Sequence, residues 1–282
     1  MPALIIHGGA GKPRAQPERE AVAKALLDIG RTTWALLASG MTAVEAAVCA
    51  TALLEDNPLF NAGRGSKLQR DGRARLSAAV MDGERERFSG VVNAEGILNP
   101  IHLAARLQDD EDRVLSGSGA LQRARELGLA EGDVRTPRAI EDWEGLVEGK
   151  TGTVGAVALD AHGRIAAATS TGGRGMEREG RVSDSATVAG NFATAAGGVS
   201  CTGVGEDIMN GALASRLVTL LEAGEGLKNA SQRIADRMNA MGWEAGFIAV
   251  DRNGHWVAPH TTEVMHWAAF DEHGEHQFGD PK

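Results

Sequence analysis

Apolar and polar residues along the chain follow two periods, and the places where one gives way to the other mark out its elements. Residues 3–6 form a short apolar run that breaks at HGGAG, 7–11, which predicts a first strand and a sharp turn containing His7. From Glu18 to Ala38 the apolar-facing positions Val22, Leu26, Ile29, Thr33 and Leu36 recur at spacings of four and three, the stripe of one helix face, and Gly40 ends it. Thr42 and Glu45 make a capping-box pattern ahead of Val44, Val48 and Leu54, so a second helix follows at once. It gives out in LEDNPLFNAGRGS, 54–66, a loop whose proline and glycines stop the helix. Loops this rich in special residues often carry function.

Residues 76–81 and 88–92 read as strands paired around Asp82 and Gly83, with a helix after Asn99 and Pro100 and a further strand at 113–117. The stretch 118–152 has helix-forming pieces but many charges and no sustained period, and it reads as a loosely packed connector. Strict alternation then returns from Thr153 to Asp160, AHGR at 161–164 supplies a turn, and IAAATST at 165–171 returns as a second strand. A hairpin folded about residue 162 sets Thr171 beside Thr153, because cross-strand partners keep a constant sum of positions. Beyond a polar loop, 172–186, a small-residue stretch runs to Gly203 as strand. A helix with Leu213, Leu217 and Leu220 on one face follows, then one marked by Leu227, Ile234, Met238 and Met241, then three last strands. Long helices flanking mostly antiparallel hairpins predict an α+β fold of three or four layers rather than a doubly wound parallel sheet.

Composition narrows the function classes. The 282 residues can bury a full core, and 38 acidic against 29 basic residues disfavour nucleic acid or an acidic membrane as partner. Two cysteines in apolar runs point to a reducing compartment, the cytoplasm, and the N-terminal apolar run is too short for a signal or spanning segment. A phosphate loop is rejected: HGGAG satisfies neither glycine pattern, and GKT at 149–151 has Glu144 where the first glycine belongs. His273 and His276 share a polar tail with no further ligands, which argues against zinc.

Several ungapped motifs, in order and over almost the whole chain, resemble one family. GTVGAVALD at 152–160, TSTGG at 169–173, GRVSD at 180–184 and SCTGVGE at 200–206, with HGGAG, PLFNAGRG at 58–65 and VMDG at 80–83, are similar to the isoaspartyl peptidase and plant-type L-asparaginase family of N-terminal nucleophile hydrolases. The resemblance implies a four-layer αββα sandwich, made as a single-domain precursor that cuts itself between Gly152 and Thr153 into chains 1–152 and 153–282. A threonine hydroxyl needs a base, and the α-amine freed at Thr153, with a pKa of about 8, can be that base.

By the resemblance Thr153 is the nucleophile, Thr171 orients or activates it, and Thr202 and Gly203 face the developing oxyanion. Arg181 and Asp184 would grip the α-carboxylate and α-amine of an aspartyl or asparaginyl group with backbone help from Gly203 and Gly205, and Asn61 matches a residue near the nucleophile. No organic cofactor is implied. A structural sodium ion on the backbone carbonyls of Leu54, Glu55, Asn57, Phe60, Ala62 and Arg64 is implied, as is a homodimer of two-chain protomers. The expected activity is hydrolysis of β-aspartyl dipeptides and possibly L-asparagine. A glycosylasparaginase-like amidase and a weakly active or uncleaved amino-acid-binding protein are alternatives. The chain departs from the family pattern at Leu98, Gly175, Glu177 and Ser183 and over 261–265, including Val264, changes that bear on substrate preference.

Overall fold

Alternation along the strands sorts the side chains into three apolar layers. On β5 (Thr153–Leu159), Val154, Ala156 and Ala158 point to one face, while Val157 and Leu159 point to the other. β1 (Ala3–Gly11) divides in the same way, with Leu4 and Ile6 on the first face and Ala3 and Ile5 on the second. Strands apolar on both faces must be covered on both, and that requirement produces the layers.

The computed structural model describes residues 1–146 and 152–278. Its larger sheet has eight strands in the order β12 (Gly274–Phe278), β11 (Val264–Asp271), β1, β5, β6 (Ile165–Thr171), β2 (Leu76–Asp82), β3 (Arg87–Ala94) and β4 (Val114–Ser116). Every pairing is antiparallel except β3 with β4. The smaller sheet runs β10 (Trp256–Val257), β9 (Ala245–Asp251), β8 (Gly197–Gly203) and β7 (Asn191–Thr194). Ile5, Val157, Ala193, Ile248 and Val250 fill the space between the sheets.

The outer face of the larger sheet is covered by α1 (Gln16–Ala38), α2 (Ala43–Asp56), α3 (Pro100–Arg106) and α4 (Gly117–Glu126). On the smaller sheet lie α6 (Gly205–Gly211), α7 (Leu213–Glu222) and α8 (Leu227–Met241). Two sheets between two helical layers make the expected αββα sandwich. The capping box of α2 is present: the Thr42 hydroxyl accepts from Glu45 N–H, and the Glu45 carboxylate accepts from Thr42 N–H at 3.0 Å.

Three expectations need correction. The stretch 118–146 is not loosely packed, because Ala120 and Ala124 of α4 are fully buried and α5 (Pro137–Glu144) packs Ala139 and Trp143 against Leu68, Ala74 and Leu76. Charges on the open faces of these short helices masked their apolar stripes. Residues 147–151 of that connector lie outside the described residues. The single helix expected after Gly203 is two, divided at Ala212, whose φ of 46° takes the chain out of the right-handed helix. His7 sits in β1 rather than a turn, wholly buried.

Two buried polar groups stand out in this core. His7 Nε2 lies 3.0 Å from Ser200 Oγ, Ser200 Oγ lies 2.7 Å from Thr169 Oγ1, and Thr169 donates to Asn191 Oδ1 at 3.1 Å, a chain that joins the two sheets. Burial pushes His7 down to about 3, against a weaker pull from the Thr153 backbone, so the ring is neutral. Glu55 of α2 is pushed up to about 8 by burial, opposed by hydrogen bonds from the Ser170 hydroxyl at 2.6 Å and Ile101 N–H at 3.2 Å.

A carboxyl that holds its proton when folded and sheds it when unfolded stabilises the fold below pH 4.5, and that contribution is lost as pH rises towards about 8. Glu55→Gln keeps the acceptor oxygen and removes the titration. In a single-chain Thr153→Ala background it should match the parent near pH 4.5 and exceed it near pH 8 by a few kcal/mol, on the order expected for a large carboxyl shift, in urea unfolding at both pH values.

Candidate active site

Thr153 begins β5 and Thr171 ends β6, and the register of the hairpin sets them directly opposite. Thr153 Oγ1 donates to Thr171 Oγ1 at 3.3 Å, and Thr171 Oγ1 donates to the Gly152 carbonyl at 3.3 Å and accepts from Gly173 N–H at 3.1 Å. Both threonines are buried. A second donor meets the same carbonyl: Asn61 Nδ2 lies 2.6 Å from Gly152 O and also donates to Gly173 O. Asn61 is held in turn by Lys67 N–H, which donates to its Oδ1 at 2.9 Å, and by Gly172 N–H, which donates to its carbonyl at 3.0 Å. The peptide bond preceding Thr153 therefore has a polarised carbonyl and an oriented hydroxyl beside it.

Gly152 has a φ of 137°, backbone that side chains rarely adopt, and a Cβ there would stand 2.8 Å from Asn61 Cβ. Glycine is what lets the asparagine close on the carbonyl.

The second cluster begins at the loop after β6. Asp184 opens a 3₁₀ turn (Asp184–Ala186) and is fully enclosed; its Oδ1 accepts from Ser183 Oγ at 2.7 Å, while Oδ2 has no hydrogen-bond partner among the described residues. Burial raises it to about 6, with Ser183 and the Arg181 charge opposing. Arg181 is gripped along one edge by Glu206, Nε to Oε1 and Nη2 to Oε2, both at 2.8 Å. The hydrogen bond from Arg181 takes the Glu206 carboxyl down to about 2. Gly205, at the start of α6, faces this group so closely that a Cβ would lie 2.6 Å from Ser183 Oγ, 2.8 Å from Asp184 Oδ1 and 3.0 Å from Arg181 Nη2.

A short relay joins the two clusters. Ser77 of β2 is the cross-strand partner of Thr171, Ser77 Oγ accepts from Asn93 N–H at 3.1 Å, and Asn93 Nδ2 donates to the Arg181 carbonyl at 3.0 Å. Thr202 lies at the end of β8, its Oγ1 accepting from Ala10 N–H at 3.1 Å, which leaves its own O–H to donate. Gly203 is the last residue of the same strand. Sequence reasoning did not single out Glu206 or Asn93. Glu206 could have been found by asking which acid balances Arg181, because it follows Gly205 directly; Asn93 carries no such signal, since its place depends on the β2–β3 register shift.

The sodium-loop residues Leu54, Glu55, Asn57, Phe60, Ala62 and Arg64 run from the end of α2 to the turn after Asn61. Among the described residues no group of three or more His, Cys, Asp or Glu could hold a metal ion. A cavity of about 640 Å³ opens beside Gly9, Asn61 and Gly152 and extends to α5.

A family model described as asparaginase matches residues 1–150 and 144–279. The chain is 44% identical to an isoaspartyl peptidase/L-asparaginase of Synechocystis over 94% of this chain and 86% of that protein. It is 42% identical to one of Nostoc over 99% and 94%, and 34% identical to a plant-type L-asparaginase of Pyrococcus furiosus over 96% and 97%. With a hydroxyl pair at the mouth of a central hairpin, a sandwich around it and this similarity along nearly its full length, the chain belongs to the asparaginase family of N-terminal nucleophile hydrolases.

Proposed function

We propose that the protein is a self-processing threonine amidohydrolase that releases L-aspartate from β-aspartyl dipeptides and from L-asparagine. The observation that carries this reading is the hydroxyl of Thr153 held by Thr171 against a Gly152 carbonyl that Asn61 also holds.

In the precursor, Thr153 Oγ attacks the Gly152 carbonyl carbon, the C–N bond breaks, and the acyl group moves from nitrogen to oxygen. Water then hydrolyses that ester, leaving a Gly152 carboxylate and a free α-amine on Thr153. The amine, with a pKa of about 8, takes the hydroxyl proton in later turnovers. Oγ attacks the side-chain carbonyl of the substrate, and the oxyanion meets the Thr202 hydroxyl and Gly203 N–H. The leaving amine departs with a proton, and water frees aspartate from Thr153.

Substrate charge explains the second cluster. Glu206 occupies the Nε edge of Arg181, leaving Nη1 to meet an α-carboxylate, while the Asp184 carboxylate, whose Oδ1 faces Gly205, supplies the negative charge for an α-ammonium. The Gly205 backbone lies beside both.

Backbone carbonyls of Leu54, Glu55, Asn57, Phe60, Ala62 and Arg64 would hold a sodium ion. An all-oxygen carbonyl set suits a hard cation, and Gly63 leaves open the space beside the Glu55 carbonyl that a Cβ would fill. The ion would fix the loop that presents Asn61. The family resemblance supports a homodimer of two-chain protomers, and the free cysteines Cys49 and Cys201 support the cytoplasm. Among the described residues no helix is long and apolar enough to cross a membrane.

Intact-mass measurement after prolonged incubation should show two fragments, the second beginning at Thr153. Thr153→Ala should remain one chain of 29.5 kDa and lose at least about a thousandfold in ammonia release from asparagine. A single wild-type species at that mass would sink self-cleavage. The pH profile provides another check: Asp184 must be ionised to meet an ammonium, so KM for asparagine should rise as pH falls through about 6. Asp184→Asn should raise KM at every pH and remove that limb.

A further inference from the structure

The end of the substrate that departs needs a place opposite the Arg181 and Asp184 grip. The cavity of about 640 Å³ beside the Gly152 peptide bond can supply it, lined by Asn61 and Gly152 and by Thr136, Arg138, Asp142 and Trp143 of the α5 segment. A space of this size holds a small ligand.

The outer wall is built to stay in place. Thr136 caps α5, its Oγ1 accepting from Ala139 N–H at 3.1 Å, and Pro137 occupies the first turn. The Trp143 ring lies against Gly72, where a Cβ would come within 3.2 Å of it, and its Nε1 donates to the Arg70 carbonyl at 3.3 Å. At the other end Arg138 and Arg14 both reach Glu18 Oε1 at 2.8 Å, and Arg14 also donates to the Leu59 carbonyl at 2.9 Å, two residues before Asn61. One carboxylate thus braces α5 to α1 and to the loop that carries Asn61.

Resting on the amidohydrolase reading above, we infer that this cavity is the leaving-group subsite and that α5 is its end wall, admitting ammonia or the single amino acid of a β-aspartyl dipeptide and obstructing a longer isoaspartyl peptide. α5 precedes Gly152 in the chain, so it belongs to the segment upstream of the cut and remains tied to the body by Trp143 and Glu18 after cleavage. Specificity for the length of the leaving group then resides in residues 136–143, away from the nucleophile and from the aspartyl grip.

The test compares kcat/KM of the self-processed wild-type protein with that of Trp143→Ala on asparagine, β-aspartyl-leucine and β-aspartyl-leucyl-leucine. Trp143→Ala removes the ring that seats α5 and should raise the tripeptide-to-dipeptide ratio by at least about fivefold. Arg138→Glu, which sets a like charge beside Glu18, loosens the other end and should move the ratio in the same direction if Trp143→Ala does not accumulate. An unchanged ratio in the variants, with wild-type activity on asparagine intact, would overturn the end wall alone. Wild-type protein inert on all three substrates would overturn the amidohydrolase reading and this inference with it.

Discussion

The site depends on the register between β5 and β6. Side chains on a strand point alternately to opposite faces, so a slip of one residue would carry Thr153 away from Thr171 and exchange Val154, Ala156 and Val157 between the two apolar layers, each packed for the present register. Packing therefore sets the geometry: the apolar layers on both sides hold the register, and the hydroxyl pair inherits its position from it. β1 and β2 flank the hairpin on either side, so its two strands are also central in the larger sheet, where fraying is least.

Charge around the site is arranged in opposition. Glu206 is kept ionised by Arg181, Asp184 is held part-way to neutrality by burial, and His7 on the strand paired with β5 is kept neutral. On the proposed reading, a zwitterion would bring one charge for Arg181 and one for Asp184 and so would relieve the burial cost of both.

Much of this was legible in the chain itself because period two and turn chemistry are local. The hairpin count from Thr153 to Thr171 needed only the turn at 161–164, and the capping box at Thr42 and Glu45 needed four residues. The burial of His7 was not legible, because its partner Ser200 is 193 residues away on another sheet. The packing of α5 was hidden for a related reason. Its apolar contacts, Ala139 and Trp143, are few, and the residues that receive them, Leu68, Ala74 and Gly72, lie in a loop with no periodic pattern. Glu206 and Arg181 are 25 residues apart, and only the return of β8 brings them together.

The order of strands in the larger sheet has a topological consequence. Reading across it, β12 and β11 come from the part of the chain after Gly152, β1 from before it, β5 and β6 from after it, and β2, β3 and β4 from before it. The two halves are interleaved, sharing three hydrogen-bonded seams: β11 with β1, β1 with β5 and β6 with β2. Severing one peptide bond at the edge of β5 opens none of those seams. Neither half owns the larger sheet, although the smaller sheet comes wholly from the part after Gly152. The protein can lose its covalent continuity and remain a single body, woven rather than linked.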